Sequence, residues 1–269
     1  MVTERLAIQL FGDFRVCVGT RAIEEREWTW RRARRLVKLL ALAPHHRLHR
    51  EHVTILLWPG MGPKDGANNL YKALYMARRI LEPDLPPRRA SSYLQLRHGL
   101  LVLEAPGGLW IDVEAFLTAA SVAHERRTSQ CYQKALRLYT GDLVLEEHDE
   151  DWAITQRGWL SELRVTLLVE LAGVQEQAGD LSAAIETVEQ AVASDPLHEE
   201  AQGLLMRLLV QTGRRDLALR HYQALRADFS RELHVEPAAS LQALYHDIRD
   251  GRAAQGSYST LIRVVKEPA

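Results

Sequence analysis

Cysteine is nearly absent from this chain: 269 residues contain two, Cys17 and Cys131, 114 positions apart and outside any C-x-x-C pattern. That scarcity excludes a disulfide-stapled scaffold and a cysteine-based zinc site, and it suits reduced thiols in a cytoplasmic protein. Long hydrophobic runs are missing too. No stretch approaches the roughly 20 apolar residues that a spanning helix needs, and residues 1–20 lack the basic start, apolar run and small-residue cleavage site of a signal peptide. Catalytic signatures are also lacking. There is no G-x-x-x-x-G-K-[ST], G-x-G-x-x-G, G-x-S-x-G or H-E-x-x-H, so the residues recommend no enzyme and no cofactor.

What is present is ordinary globular material, 46% hydrophobic and 26% charged, in a length comfortable for two domains. The net charge of −1 hides a division. Residues 1–105 hold 18 Lys+Arg against 10 Asp+Glu, a balance of +8, and the remaining residues carry −9. An asymmetry that tracks a domain boundary points to a polyanionic partner for the basic half.

The periodicity sorts the chain further. Leu6, Ile8 and Leu10, then Phe14, Val16 and Val18, alternate around turns at Gly12-Asp13 and Gly19-Thr20, which predicts a small antiparallel sheet. Helical spacing follows from Arg31 to Ala43, at about 50–57 and at about 65–81, with Pro44 and Trp58-Pro59-Gly60 as breaks. Two strand-like runs, 93–97 and 100–103, flank the hairpin signal His98-Gly99. Sheet, three helices and hairpin is the order of a winged helix-turn-helix. From Asp112 to about Arg249 the pattern is helical throughout. Gly179/Gly213, Ala184/Ala218, Leu171/Leu205 and Val188/Tyr222 recur at 34 residues, the tetratricopeptide spacing. The expected fold is therefore mainly α: an α+β winged-helix domain over 1–105, an all-α helical-repeat domain over 106–250, and a tail or linker over 251–269.

The third helix is the best functional candidate. A helix entering the major groove needs an apolar back and a front rich in amide and cationic groups, because Asn pairs with adenine and Arg or Lys with guanine. Asn68, Asn69, Lys72 and Arg79 supply such a front, with Tyr71 and Tyr75 able to pack on sugar or donate to phosphate, and Arg97 stands at the hairpin to support from the wing. The basic run Arg31-Arg32-x-Arg34-Arg35-x-x-Lys38 opens a helix, where cations oppose the macrodipole. One or two of its charges are expected on phosphate and the others in solvent. His45, His46, His49 and His52 have partial metal spacing, but Pro44 interrupts the helix they would need, so no metal site is expected. The acidic run 146–151 reads as a solvated loop.

Particular residues also carry a family resemblance. Leu10-Phe11-Gly12, Leu57-Trp58-Pro59 and Ala73-Leu74-x-x-Ala77-Arg78-Arg79 mark the head. Tyr139-x-Gly141-Asp142-Leu143, Asp151-Trp152, Arg157, Asp195-Pro196-Leu197-His198-Glu199-Glu200-Ala201, Leu205-Met206, Gly213, Ala218-Leu219-x-x-Tyr222 and Glu232-Leu233-His234-Val235-Glu236-Pro237 mark the second half. Over residues 5–250 the chain resembles activators of the AfsR/SARP (Streptomyces antibiotic regulatory protein) type. The resemblance implies an OmpR-like winged helix joined to a bacterial transcriptional activator domain of tetratricopeptide-like helices. It also implies a cytoplasmic, nucleoid-associated regulator that binds double-stranded DNA at promoter direct repeats and contacts RNA polymerase, with a homodimer possible. Where many relatives have Ser-Arg-Leu-Arg-Arg late in the third helix, this chain has Tyr75-Met76-Ala77-Arg78-Arg79. The competing expectation is a tetratricopeptide-type interaction scaffold, or the regulatory segment of a larger signalling protein.

Overall fold

The structure, a computed structural model, describes residues 4–252 apart from 87, 145 and 148–150. The 253–269 part of the expected tail and the 148–150 part of the acidic run lie outside the described residues. The chain divides into two compact units, residues 1–163 and 164–269.

In the first unit the alternation predicted near the N-terminus forms β1 (Leu6–Gln9), β2 (Arg15–Val18) and β3 (Arg21–Ile23). Leu6 opposes Val18 and Ile8 opposes Val16, so each buried face is continued by its neighbour. The winged helix follows: α1 (Arg31–Leu42), β4 (Arg47–His49), α2 (Arg50–Leu57), α3 (Pro63–Leu81), β5 (Leu94–Arg97) and β6 (Leu100–Leu103). At the hairpin tip His98 and Gly99 both have positive φ, 50° and 84°, as a primed two-residue turn requires. Next come β7 (Leu109–Ile111), α4 (Asp112–Arg126) and α5 (Ser129–Leu136), and then α6 (Asp151–Gln177), which continues into the second unit.

Two strands escape the periodicity. β7 adds in parallel to β1, giving the order β3-β2-β1-β7, and β4 pairs with β6, giving β4-β6-β5. Both are three residues long, too short for alternation to register. Asp112 locks the first of these additions. Its buried carboxylate accepts the backbone N–H groups of Leu10 (2.8 Å), Phe11 (2.9 Å) and Val113 (2.8 Å), joining the end of β1 to the start of α4. Burial pushes this carboxyl above its ordinary value, and the backbone donors oppose that rise.

The motif Leu10-Phe11-Gly12 packs directly on Tyr139-x-Gly141-Asp142-Leu143. The Phe11 and Tyr139 rings lie 4.5 Å apart, Gly12 N–H donates to the Asp142 carbonyl at 2.9 Å, and Val144 N–H donates to the Leu10 carbonyl at 2.8 Å. A Cβ on Gly141 would stand 3.0 Å from the Gly12 Cα, so any larger residue there would push the two segments apart by a few tenths of an ångström.

The basic run of α1 corrects an expectation. Arg34, Arg35 and Lys38 are neither solvated nor free for phosphate. Lys38 is fully buried and its Nζ donates to Glu146 at 2.9 Å and Glu147 at 3.3 Å. Arg35 pairs with Glu147 at 2.5 Å, and Arg34 pairs with Glu146 at 2.6 Å and Glu25 at 3.3 Å. Glu147, expected in a solvated loop, is 2% exposed. The backbone around it is fixed by Arg157, whose guanidinium donates to the carbonyls of Leu143, Val144 and Glu147.

In the second unit, α7 (Leu181–Ser194), α8 (Glu199–Gln211), α9 (Arg215–Glu232) and α10 (Ala239–Arg249) follow the end of α6. The 34-residue period is physical. Gly179 and Gly213 follow the first helix of each repeat, α6 and α8, in the left-handed conformation, at φ 80° and 77°, while Ala184 and Ala218 are completely buried. In the Asp195–Ala201 motif, Asp195 accepts the Leu197 N–H at 3.1 Å and His198 Nδ1 caps α8 by accepting the Ala201 N–H at 3.3 Å. The terminal motif is held by a two-pronged Arg226–Glu236 pair (2.6 and 2.8 Å) and by Glu199, which accepts the Ala238 N–H at 2.7 Å.

Two consequences are measurable. Lys38→Met leaves Glu147 buried without its ammonium and is expected to cost about 3–5 kcal/mol in urea unfolding, whereas Glu146→Ala, at the solvated side, costs about 1 kcal/mol or less. Equal effects would show that the cluster is a surface feature. Burial holds the His221 imidazole below its ordinary value of 6.5, partly offset by Glu189, in contact with Gln202. The folded state therefore binds the proton less readily than the unfolded chain, so this contribution is complete above pH 6.5 and is lost as the pH falls through the folded value. His221→Gln is expected to flatten the acid limb of thermal stability between pH 7 and 5; an unchanged slope would contradict it.

Candidate nucleic-acid interface

Helix α3 is seated by its apolar stripe. Leu70, Ala73, Leu74, Ala77, Ile80 and Leu81 are buried, and Gly66 lets α2 approach so closely that an added Cβ would lie 2.3 Å from Thr54 Cγ2. Its far end is fixed from outside the helix. Arg21 on β3 donates to the carbonyls of Ile80 (2.7 Å) and Leu81 (3.2 Å), and Glu27 holds Arg21 at 3.1 Å. Arg78 donates Nε–H to the Leu94 carbonyl at 2.9 Å, tying α3 to the first wing strand; burial there lowers its pKa against the raising influence of Glu82. Glu82 in turn accepts Ser91 Oγ–H and Ser92 N–H, which anchors the chain entering the wing. Helix α3 and the wing are thus mutually positioned by part-buried residues away from the outer face of α3.

At about 100° per residue, Lys64, Asn68, Tyr71, Lys72, Tyr75 and Arg79 fall on the face opposite the buried stripe, and all six are exposed. The side chains of Asn68, Lys72 and Tyr75 have no hydrogen bond or ion pair to another described residue, and neither have those of Lys64 and Tyr71. The other three candidate residues are differently placed. Asn69 is half-buried, one residue around the helix from Asn68, and its Nδ2 donates to Met61 Sδ at 3.0 Å. Arg79 is on the face, but its Nη1 donates to the Leu85 carbonyl at 3.1 Å. Arg97 ends β5 at the wing tip and pairs with Glu104 at 3.0 Å while remaining more than half exposed.

Two features of this surface were missed by sequence reasoning. Lys64 completes the exposed row, and its i,i+4 spacing from Asn68 was a readable signal. Trp30, the residue before α1, meets α3 to form an open cleft of about 470 Å³ lined by Trp30, Tyr71, Lys72, Tyr75 and Met76. Its two sides are some forty residues apart in sequence, so only the fold brings them together. Elsewhere, His46 Nδ1 donates to the Ala41 carbonyl at 3.2 Å and the ring faces Glu114 at 3.3 Å, and His49 faces Glu51 at 3.7 Å. His45 and His46 both have positive φ, so the four histidines do not share a helix. No group of three or more metal-ligating side chains occurs among the described residues, and no described helix is long and apolar enough to cross a membrane.

Comparison with known proteins places these features in a family. The bacterial transcriptional activator domain family matches residues 111–249. The chain is 27% identical over 222 residues to the transcriptional regulator RedD of Streptomyces coelicolor, covering 81% of this chain and 63% of RedD. It is 29% identical over 117 residues to the regulatory protein DnrI of Streptomyces peucetius, covering 44% of this chain and 43% of DnrI. The fold is similar to that of EmbR of Mycobacterium tuberculosis, solved with a low-affinity phosphopeptide, with a TM-score of 0.77 and 18% identity over 93% of this chain and 66% of EmbR. The chain therefore spans less than two thirds of each of these relatives. Since the family segment takes in more than half of its length, the chain belongs to the bacterial transcriptional activator domain family, in its SARP type.

Proposed function

We propose that this protein is a sequence-specific DNA-binding transcription activator, acting in the cytoplasm on nucleoid DNA, in which α3 enters the major groove and the β5–β6 hairpin follows the adjoining backbone. The observation that carries the reading is the row of uncommitted polar ends, Lys64, Asn68, Lys72 and Tyr75, on the outer face of a helix whose inner face and both ends are fixed. Such a row suits hydrogen bonding to base edges, Asn68 to adenine and Lys72 to guanine. Arg79 and Arg97 join it by exchanging their present internal partners for phosphate or base oxygens, and Asn69 serves at the margin. In this reading residues 1–105 carry the DNA contact. Residues 106–250 provide the surface for RNA polymerase and for a second copy of the chain on adjacent direct repeats, in line with the regulators RedD and DnrI. Binding rather than catalysis is the proposed activity. An interaction scaffold would leave the outer face of α3 without a role.

The test is selection of bound duplexes from a random library, followed by titration of the enriched sequence. Lys72→Ala is expected to weaken binding by about 10-fold or more, with the far-UV circular dichroism unchanged because the side chain is exposed. No enriched sequence, or equal affinity of the variant, would overturn the assignment.

A further inference from the structure

Aromatic side chains are usually buried, because each hides a large apolar area. Tyr71 and Tyr75 instead stand 49% and 62% exposed on successive turns of α3, and Met76 and Trp30 extend the apolar surface between them. The patch is continuous with the polar row: Lys72 forms part of its wall and Asn68 lies one turn earlier. The cleft is open along its length rather than closed, so it suits the projecting edge of a larger object and not an enclosed small molecule. Its cationic rim and its place on the same helix face select a polyanion over an apolar protein surface.

Only one feature of the major-groove wall answers an apolar wall bordered by an amide and an ammonium. Thymine carries a C5-methyl group there, whereas the other three bases present only polar groups and ring C–H edges, which an almost wholly apolar wall matches less well. We infer that the cleft of Trp30, Tyr71, Tyr75 and Met76 beside Lys72 seats the C5-methyl group of a thymine and makes α3 a reader of thymine at that step. This inference rests on the proposed entry of α3 into the major groove and names what the groove must present to it.

The experiment uses the full chain and a duplex enriched from a random library, compared with the same duplex carrying deoxyuridine in place of individual thymines. That exchange deletes one methyl group and leaves every base-pairing atom in place. At one or two positions the wild-type protein is expected to bind the uracil duplex about four-fold more weakly per methyl lost. Deoxyuridine in the flanks is expected to have no effect. In Tyr75→Ala and Tyr71→Ala, whose exposed side chains are not needed for folding, the thymine duplex weakens and the penalty for uracil disappears. Specific binding that is indifferent to every thymine-to-uracil exchange overturns the inference while leaving groove entry intact; the tyrosines then pack on sugar. A uracil penalty that persists undiminished in both variants also overturns it. Absence of any preferred sequence removes the groove reading itself and the inference with it.

Discussion

Burying a lysine is costly unless its charge is met, and in the first unit the ammonium of Lys38 is met twice, by Glu146 and Glu147, with the face of Phe14 at 4.9 Å. Glu147 is equally removed from solvent and binds Arg35 as well. Neither partner is tolerable alone, so α1 and the 146–147 segment have one mutual position in which both are satisfied. The segment itself has no regular structure to define it. Arg157 supplies that definition by occupying three of its carbonyls. Since α1 packs against α3, the position of the outer α3 face depends on a charge cluster contributed by residues more than a hundred positions away.

A second long-range constraint acts beside it in the same unit, where Val144 donates to the Leu10 carbonyl. Asp112 follows β7 directly and opens α4 while binding the N–H groups of Leu10 and Phe11, just past β1. The Phe11–Tyr139 contact and the Gly12–Gly141 approach continue that seam. Phe11, Gly12, Tyr139 and Gly141 are among the residues that carry the family resemblance. Their pattern records a contact surface: a head strand, a helix start and a loop that can only be built together. The first sheet is thus braced on residues lying beyond 105.

Much of this was legible beforehand. The helices at 50–57 and from Asp112 to Arg249, the wing turn at His98-Gly99, and the repeated glycines at 179 and 213 follow from local rules of spacing and φ, and the structure has them where those rules put them. The members of the polar face were also readable, since helical geometry alone separates Asn68 from Asn69 by about 100°. Pairing between distant segments was not readable. The basic run of α1 and the acidic run near 147 each looked like a surface feature in isolation, and each is the other's partner. The cleft at Trp30 was hidden for the same reason, and the short strands β4 and β7 exist only because a longer strand lies beside them.

The ion cluster also changes how the charge of this protein bears on DNA. Residues 1–105 carry +8, but the compact unit to residue 163 holds 23 Lys+Arg against 20 Asp+Glu, a balance of only +3. Arg34, Arg35 and Lys38 spend their charge internally, and Arg97 and Arg79 are held by Glu104 and a backbone carbonyl. Non-specific affinity grows with the number of phosphates neutralised, so a unit with this balance gains less from charge alone than its basic head suggests. On the proposed groove entry, discrimination then falls to short-range fit at α3, where an amide, an ammonium and two exposed rings stand side by side. On the proposed reading, selectivity is a matter of which base edges match those groups, with the distant cluster at Lys38 keeping them in place to be matched.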